Sequence, residues 1–133
     1  MRLLLDTNAY TALMRGHEGV ASRVRQAQSI GMSVIVLGEL LAGFRHGTKE
    51  SENRHRLSRF LTDRFVEQLP VTRATAEHFA SIWAELRSLG RPIPANDVWI
   101  AAHGREHSAE LVSFDKHFRE VAGLLWFDPD RMP

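Results

Sequence analysis

Short apolar runs alternate with longer stretches in which apolar residues recur every three or four positions, and this alternation organises the whole chain. Arg2–Leu5 reads as a buried strand, followed by a helix that Asn8 is placed to cap and that runs towards Met14. Gly16 and His17 break it, and Val20, Val24 and Ala27 keep helical spacing up to Gly31. The β-branched run Ser33–Leu37 predicts a second strand, after which Gly38–Phe44 opens another helix. Leu57, Phe60, Leu61 and Phe65 form a helical stripe, and Val66–Val71 predicts a third strand edged by Pro70. Ala76, Phe79, Ala80, Trp83 and Leu86 form a further stripe, stopped by Gly90 and Pro92. A helix beginning at Asp97 and ending near His107 precedes two last strands, Glu110–Ser113 and Leu124–Phe127, with a short helix around Lys116–Val121 between them.

Strand and helix in strict alternation predict a mostly parallel sheet covered by helices on both faces. At 133 residues the chain fits one domain, 1–133, with no internal repeat. A 44% hydrophobic and 25% charged composition excludes a disordered chain. No apolar stretch approaches the roughly 20 residues that span a bilayer, and three leucines before Asp6 are too few for a secretory signal. Without cysteine there is neither a disulfide framework nor a thiolate metal site, and residence in the cytoplasm is expected.

Acidic residues then change the picture. Asp6 follows Leu3–Leu5, Glu39 follows Val34–Leu37, Asp97 opens an apolar helix, and Asp115 lies just beyond Leu111–Ser113. Ligands of parallel sheets bind beyond the carboxyl ends of the strands, where this topology would gather these acids. Singly, each has a plain structural role as a helix cap or a first-turn anion. Together they repel: two unit charges about 4 Å apart cost about 4 kcal/mol at an effective dielectric near 20, far above a helix-dipole gain. A hard divalent cation on oxygen ligands, Mg²⁺ or Mn²⁺, resolves that conflict.

The basic residues are also unevenly placed. Arg45, Lys49, Arg54, Arg56, Arg59 and Arg64 crowd one stretch, offset only by Glu50, Glu52 and Asp63. Beside an acidic pocket such a stretch could hold a phosphate backbone, whereas alone it is a solvated helix face.

At these residues the sequence resembles the PIN-domain ribonucleases, and among them the VapC-type toxins of bacterial toxin–antitoxin pairs. The resemblance rests on Leu5-Asp6-Thr7-Asn8, Gly38–Gly43, Pro94–Ala102 and Leu111–Phe118, in the family's order. It implies a PIN-like three-layer α/β sandwich on a central, mostly parallel five-stranded sheet with the first strand in the middle. It further implies that Asp6, Glu39, Asp97 and Asp115 form a catalytic, metal-binding quartet, mainly Asp6 and Asp97 holding Mg²⁺. Thr7, Asn8 and Ser113 would support the pocket, Ser113 standing where many relatives carry threonine or asparagine. The implied activity is RNA cleavage leaving a 5′-phosphate and a 3′-hydroxyl. The implied partners are RNA, a second copy of the chain and a small antitoxin, docking near Leu40, Leu41 and Phe44 or near Leu57, Phe60 and Leu61. Arg15, Arg45, Arg54, Arg56 and Arg59 are candidate RNA contacts.

Two other readings compete. His103-Gly104-Arg105-Glu106-His107 fits the H-x-x-E-H pattern of a zinc-dependent hydrolase, with Glu110 as third ligand and His17, His46, His55, His78 and His117 left at the surface. A non-catalytic RNA-binding module would keep the pocket without cutting. Phosphoryl-transfer folds also place an aspartate after the first strand, but Asn8 stands where a phosphatase needs a second aspartate, and no lysine ends a strand as a receiver domain requires.

Overall fold

In the computed structural model, residues 1–131 are described. Five strands, β1 (Arg2–Leu5), β2 (Ser29–Ser33), β3 (Val66–Leu69), β4 (Glu110–Val112) and β5 (Leu125–Phe127), form one sheet in the order β3-β2-β1-β4-β5. Every neighbouring pair is parallel, with Leu4 opposite Gly31 on one side and Leu111 on the other. Consecutive strand residues point to opposite faces, yet Leu3, Leu4 and Leu5 are all fully buried, so both faces of the central strand are covered.

The helices are α1 (Thr7–Met14), α2 (Glu18–Gln26), α3 (Val34–His46), α4 (Glu50–Leu61), α5 (Arg73–Ser88) and α6 (Ala95–Glu106), with a 3-10 turn at Lys116–Glu120. Helices α5 and α6 meet where Phe79 stacks on Trp99 with ring centroids 4.0 Å apart, and Ile82, Leu86, Val98 and Ile100 are buried in the core. Gly31 lets β3 approach: a Cβ there would sit 2.7 Å from Leu69 Cδ1.

The second strand differs from the sequence expectation. It spans Ser29–Ser33, not Ser33–Leu37, and the β-branched run Val34–Leu37 is the first turn of α3. Two local facts decide this. Ile30, Gly31, Met32 and Ser33 already fill the register against β3, and the Ser33 side chain accepts the Ile35 N–H, capping the helix. Burial then follows the helical period through Val36, Leu37 and Leu40 while Val34 is exposed, so tertiary pairing overrides β-propensity. The preceding helix ends at Gln26 rather than running to Gly31. Asp6, not Asn8, caps α1, because its carboxylate accepts the Ala9 N–H at 2.9 Å. Helix α6 starts at Ala95, two residues ahead of Asp97.

His103, fully buried, joins three elements. Its Nδ1 lies 2.9 Å from Ser33 Oγ and its Nε2 3.0 Å from the Pro70 carbonyl, which assigns the neutral ring a proton on Nε2 and a hydrogen bond from the Ser33 hydroxyl. Burial lowers its pKa, opposed by the Pro70 carbonyl and Glu106. Ser33→Ala removes the α3 cap and leaves Nδ1 without its donor, an expected loss of about 1–3 kcal/mol in urea unfolding. A change below about 0.5 kcal/mol, typical of neutral surface sites, would contradict this account.

Candidate metal centre

Two strand ends and two helix starts bring the acids together. Asp6 follows β1, Asp115 follows β4 by two residues beyond Ser113, Asp97 lies in the first turn of α6, and Glu39 lies in the second turn of α3. Glu39 therefore arrives from inside a helix rather than from a strand end, but α3 begins where β2 stops, so it reaches the same edge of the sheet.

Hydrogen bonds brace three of the four carboxylates, those of Asp6, Glu39 and Asp115. The Ser113 hydroxyl donates to Asp6 Oδ2 and accepts the Asp115 N–H at 3.0 Å, tying the first acid to the fourth. Thr7 Oγ1 donates to Glu39 Oε1, and Asn96 Nδ2 donates to Glu39 Oε2 at 3.2 Å. Asp115 Oδ1 accepts the His117 N–H at 2.9 Å and so caps the 3-10 turn.

The electrostatics record the convergence. Burial pushes Asp97 up to about 6, reinforced by Asp115, Glu39 and Asp6 and opposed by His117. Asp6, which is buried, is also raised, first by burial and then by Asp115 and Glu39, against the hydrogen bonds from Ser113 and Ala9. Among the described residues the basic group paired with any of the four is His117, its Nδ1 3.1 Å from Asp115 Oδ1 and 3.9 Å from Asp97 Oδ2. Asp97, Asp115 and His117 offer ligand atoms within 4.8 Å of one another. His117 is exposed, as the sequence expectation has it, and lies against two acids of the candidate centre. The sequence expectation puts an ion mainly on Asp6 and Asp97; Asp6, with both oxygens accepting hydrogen bonds, stands beside the grouping of Asp97, Asp115 and His117 rather than in it and acts on Asp97 through its charge.

Of the other expected site residues, Thr7 and Ser113 brace acids, while Asn8 is exposed and donates to none of the four among the described residues. A cavity of about 320 Å³ opens beside Thr7 and Glu39, floored by Tyr10, Leu40 and Phe44 and edged by Arg15 and Arg56. Arg45 and Arg54 lie 3.8 and 4.0 Å from Glu50 in exposed pairs, and Arg54 lines a separate groove with His55. Arg59 is exposed in the last turn of α4. Leu57 is buried core, so it offers no docking surface. Asn96 was not singled out by sequence reasoning, although it directly precedes Asp97 in a motif already notable for that acid.

A zinc site on the H-x-x-E-H pattern does not form. Both nitrogens of His103 are engaged inside the protein. Glu106 accepts the Thr75 hydroxyl, and Glu110 is held by Arg23 through two bonds of 2.6 and 2.7 Å.

A PIN domain family model matches residues 3–124. The chain belongs to the PIN domain family. Its relatives place this PIN domain with the VapC ribonucleases: it is 34% identical to Ribonuclease VapC1 of Haemophilus influenzae (strain R2866), covering 96% of this chain and 98% of the relative. In structure it is similar to VapBC-1 from nontypeable Haemophilus influenzae, with a TM-score of 0.86 and 28% identity over 98% of this chain and 100% of that one. It is also similar to VapBC2 from Rickettsia felis bound to a promoter DNA fragment, with a TM-score of 0.85 and 26% identity over 96% of this chain and 98% of that one.

The raised pKa of Asp97 has a consequence for stability. A carboxyl whose folded pKa of about 6 exceeds its unfolded value of 3.8 binds more protons folded than unfolded between the two, so its contribution turns unfavourable as pH rises through that window. In metal-free protein, Asp97→Asn is expected to raise Tm more at about pH 7.5 than at about pH 4.5, read by calorimetry. Equal shifts at both pH values would contradict the strained ionised carboxylate.

Proposed function

We propose that this PIN domain is a metal-dependent endoribonuclease toxin, acting in the cytoplasm on RNA and neutralised by a small cognate antitoxin. The observation that carries the reading is the meeting of Asp6, Glu39, Asp97 and Asp115 at one sheet edge with no lysine or arginine paired to them among the described residues. The name Ribonuclease VapC1 on a relative of nearly equal length supports the activity, and VapBC neighbours support an antitoxin partner.

Oxygen donors on Asp97 and Asp115, with Asp6 behind them, fit Mg²⁺ or Mn²⁺. When bound there, such an ion would supply Lewis-acid stabilisation of charge on the phosphodiester and would lower the pKa of a water. Glu39, held at both oxygens by Thr7 and Asn96, orients the attacking water and accepts its proton. Asp6, fixed by Ala9 and Ser113, would add negative potential to the site that holds the cation. Attack by water leaves the ribose 2′-hydroxyl out of the reaction, so the products carry a 5′-phosphate and a 3′-hydroxyl.

Arg15 and Arg56, at the rim of the cavity that Glu39 also lines, hold the RNA backbone. The same cavity, with Tyr10 and Phe44 on its floor, is the place for an antitoxin segment to exclude RNA. The chain acts as a homodimer, with one centre per copy.

Glu39→Gln should reduce magnesium-dependent cleavage of cellular RNA by about 100-fold or more while circular dichroism stays unchanged. Cleavage at the wild-type rate would remove Glu39 from the chemistry. Charge reversal of Arg15 and Arg56 together should weaken RNA binding and lower its logarithmic salt slope by about 1.4, at about 0.7 per phosphate contact. The Arg54 reversal serves as comparison, and a double variant no different from it would sink the assignment.

A further inference from the structure

His117 sits where a metal ligand belongs, and no oxygen-only account of the centre uses it. It is the second residue of the 3-10 turn Lys116–Glu120, and fully buried Phe118 anchors that turn beside it. The backbone N–H of His117 binds Asp115 Oδ1 at 2.9 Å, and the ring Nδ1 lies 3.1 Å from the same oxygen and 3.9 Å from Asp97 Oδ2. Adjacent ligands of an octahedral ion with bonds of about 2.2 Å stand about 3.1 Å apart, so the first distance is that of neighbours in one coordination shell. The second lies between the separations of adjacent and opposite ligands. An exposed ion pair with Asp115 alone would add little and would not require the ring to face Asp97 as well.

We propose that His117 is a nitrogen ligand of the divalent ion and that it tunes this centre towards Mn²⁺ over Mg²⁺. The inference rests on the metal-dependent reading above and sharpens it. Imidazole nitrogen suits first-row transition ions, while Mg²⁺ keeps oxygen ligands and its own waters, so the ring discriminates between two ions that the carboxylates alone barely separate. The His117 side chain is 56% exposed, so the ring lies open to an ion arriving from solvent.

The test is Mn²⁺ binding to the full-length, metal-stripped protein, followed by electron paramagnetic resonance with detection of ¹⁴N echo modulation. Wild-type protein should show nitrogen modulation from one imidazole, and His117→Ala should lose it. The same variant should bind Mn²⁺ about ten-fold more weakly, as removal of a ligating or ligand-supporting group does. Its Mg²⁺ affinity, measured by displacement of Mn²⁺, should change less than about two-fold. Bound Mn²⁺ without nitrogen modulation in the wild type, or modulation that survives His117→Ala, would overturn the proposal. Asp97→Asn separates the two levels. Loss of Mn²⁺ binding in that variant together with absent modulation in the wild type leaves the acidic centre standing and removes His117 from it. Undiminished Mn²⁺ binding in Asp97→Asn would overturn both.

Discussion

Like-charged carboxylates held close together at the carboxyl edge of a parallel sheet are the constraint from which most of the local architecture follows. The sheet order places β1 in the centre with β2 and β4 as its neighbours, so the loops after β1 and β4 and the starts of α3 and α6 crowd one small region. Repulsion there is large compared with any single cap or dipole gain. The fold tolerates it because Asp97 gives up part of its acidity and because Asp6, Glu39 and Asp115 are each pinned by a specific donor. Ser113, Thr7 and Asn96 are small, polar and rotationally cheap to fix, and each is in hydrogen-bond contact with an acid of the quartet. An ion shared among the carboxylates would relieve the remaining strain.

Capping and metal binding are not rival explanations of these residues. Asp6 caps α1 through Oδ1 and Asp115 caps the 3-10 turn through Oδ1, so both acids perform the structural role that sequence reasoning set against function. A carboxylate carries about four lone-pair sites, enough for a backbone N–H and a cation together. Using one residue for both tasks fixes the carboxylate's direction before any ion arrives, which is what preorganisation of a centre requires.

Much of this was legible in the chain. Arg2–Leu5 as a buried strand, the α5 stripe and the four acids follow from periodicity and from where acids stand relative to apolar runs, while the central place of that strand was implied by the family resemblance. The error at Ser33–Leu37 came from reading β-branching as strand, when Ser33 is a cap and β2 had already been supplied by the less hydrophobic Ser29–Ser33. Glycine within β2 weakened its sequence signal for the same reason that it permits Leu69 to approach. His103 and His107 share a helix face as their spacing says, but only the fold reveals that His103 is spent on Ser33 and Pro70. His117 was hidden for the opposite reason: its partners Asp97 and Asp115 come from different elements, and only one of them is near in sequence.

The central claim, that converging carboxylates make this edge of the sheet a cation site, is tested most directly by the melting temperature of metal-free protein as divalent ion is added near neutral pH. Ligand that binds only the folded state stabilises it by mass action, about 2.7 kcal/mol at a hundred-fold excess over Kd. The account predicts a saturable rise in Tm with Mg²⁺ and with Mn²⁺, absent with equal ionic strength of sodium chloride. A Tm indifferent to both divalent ions would contradict it.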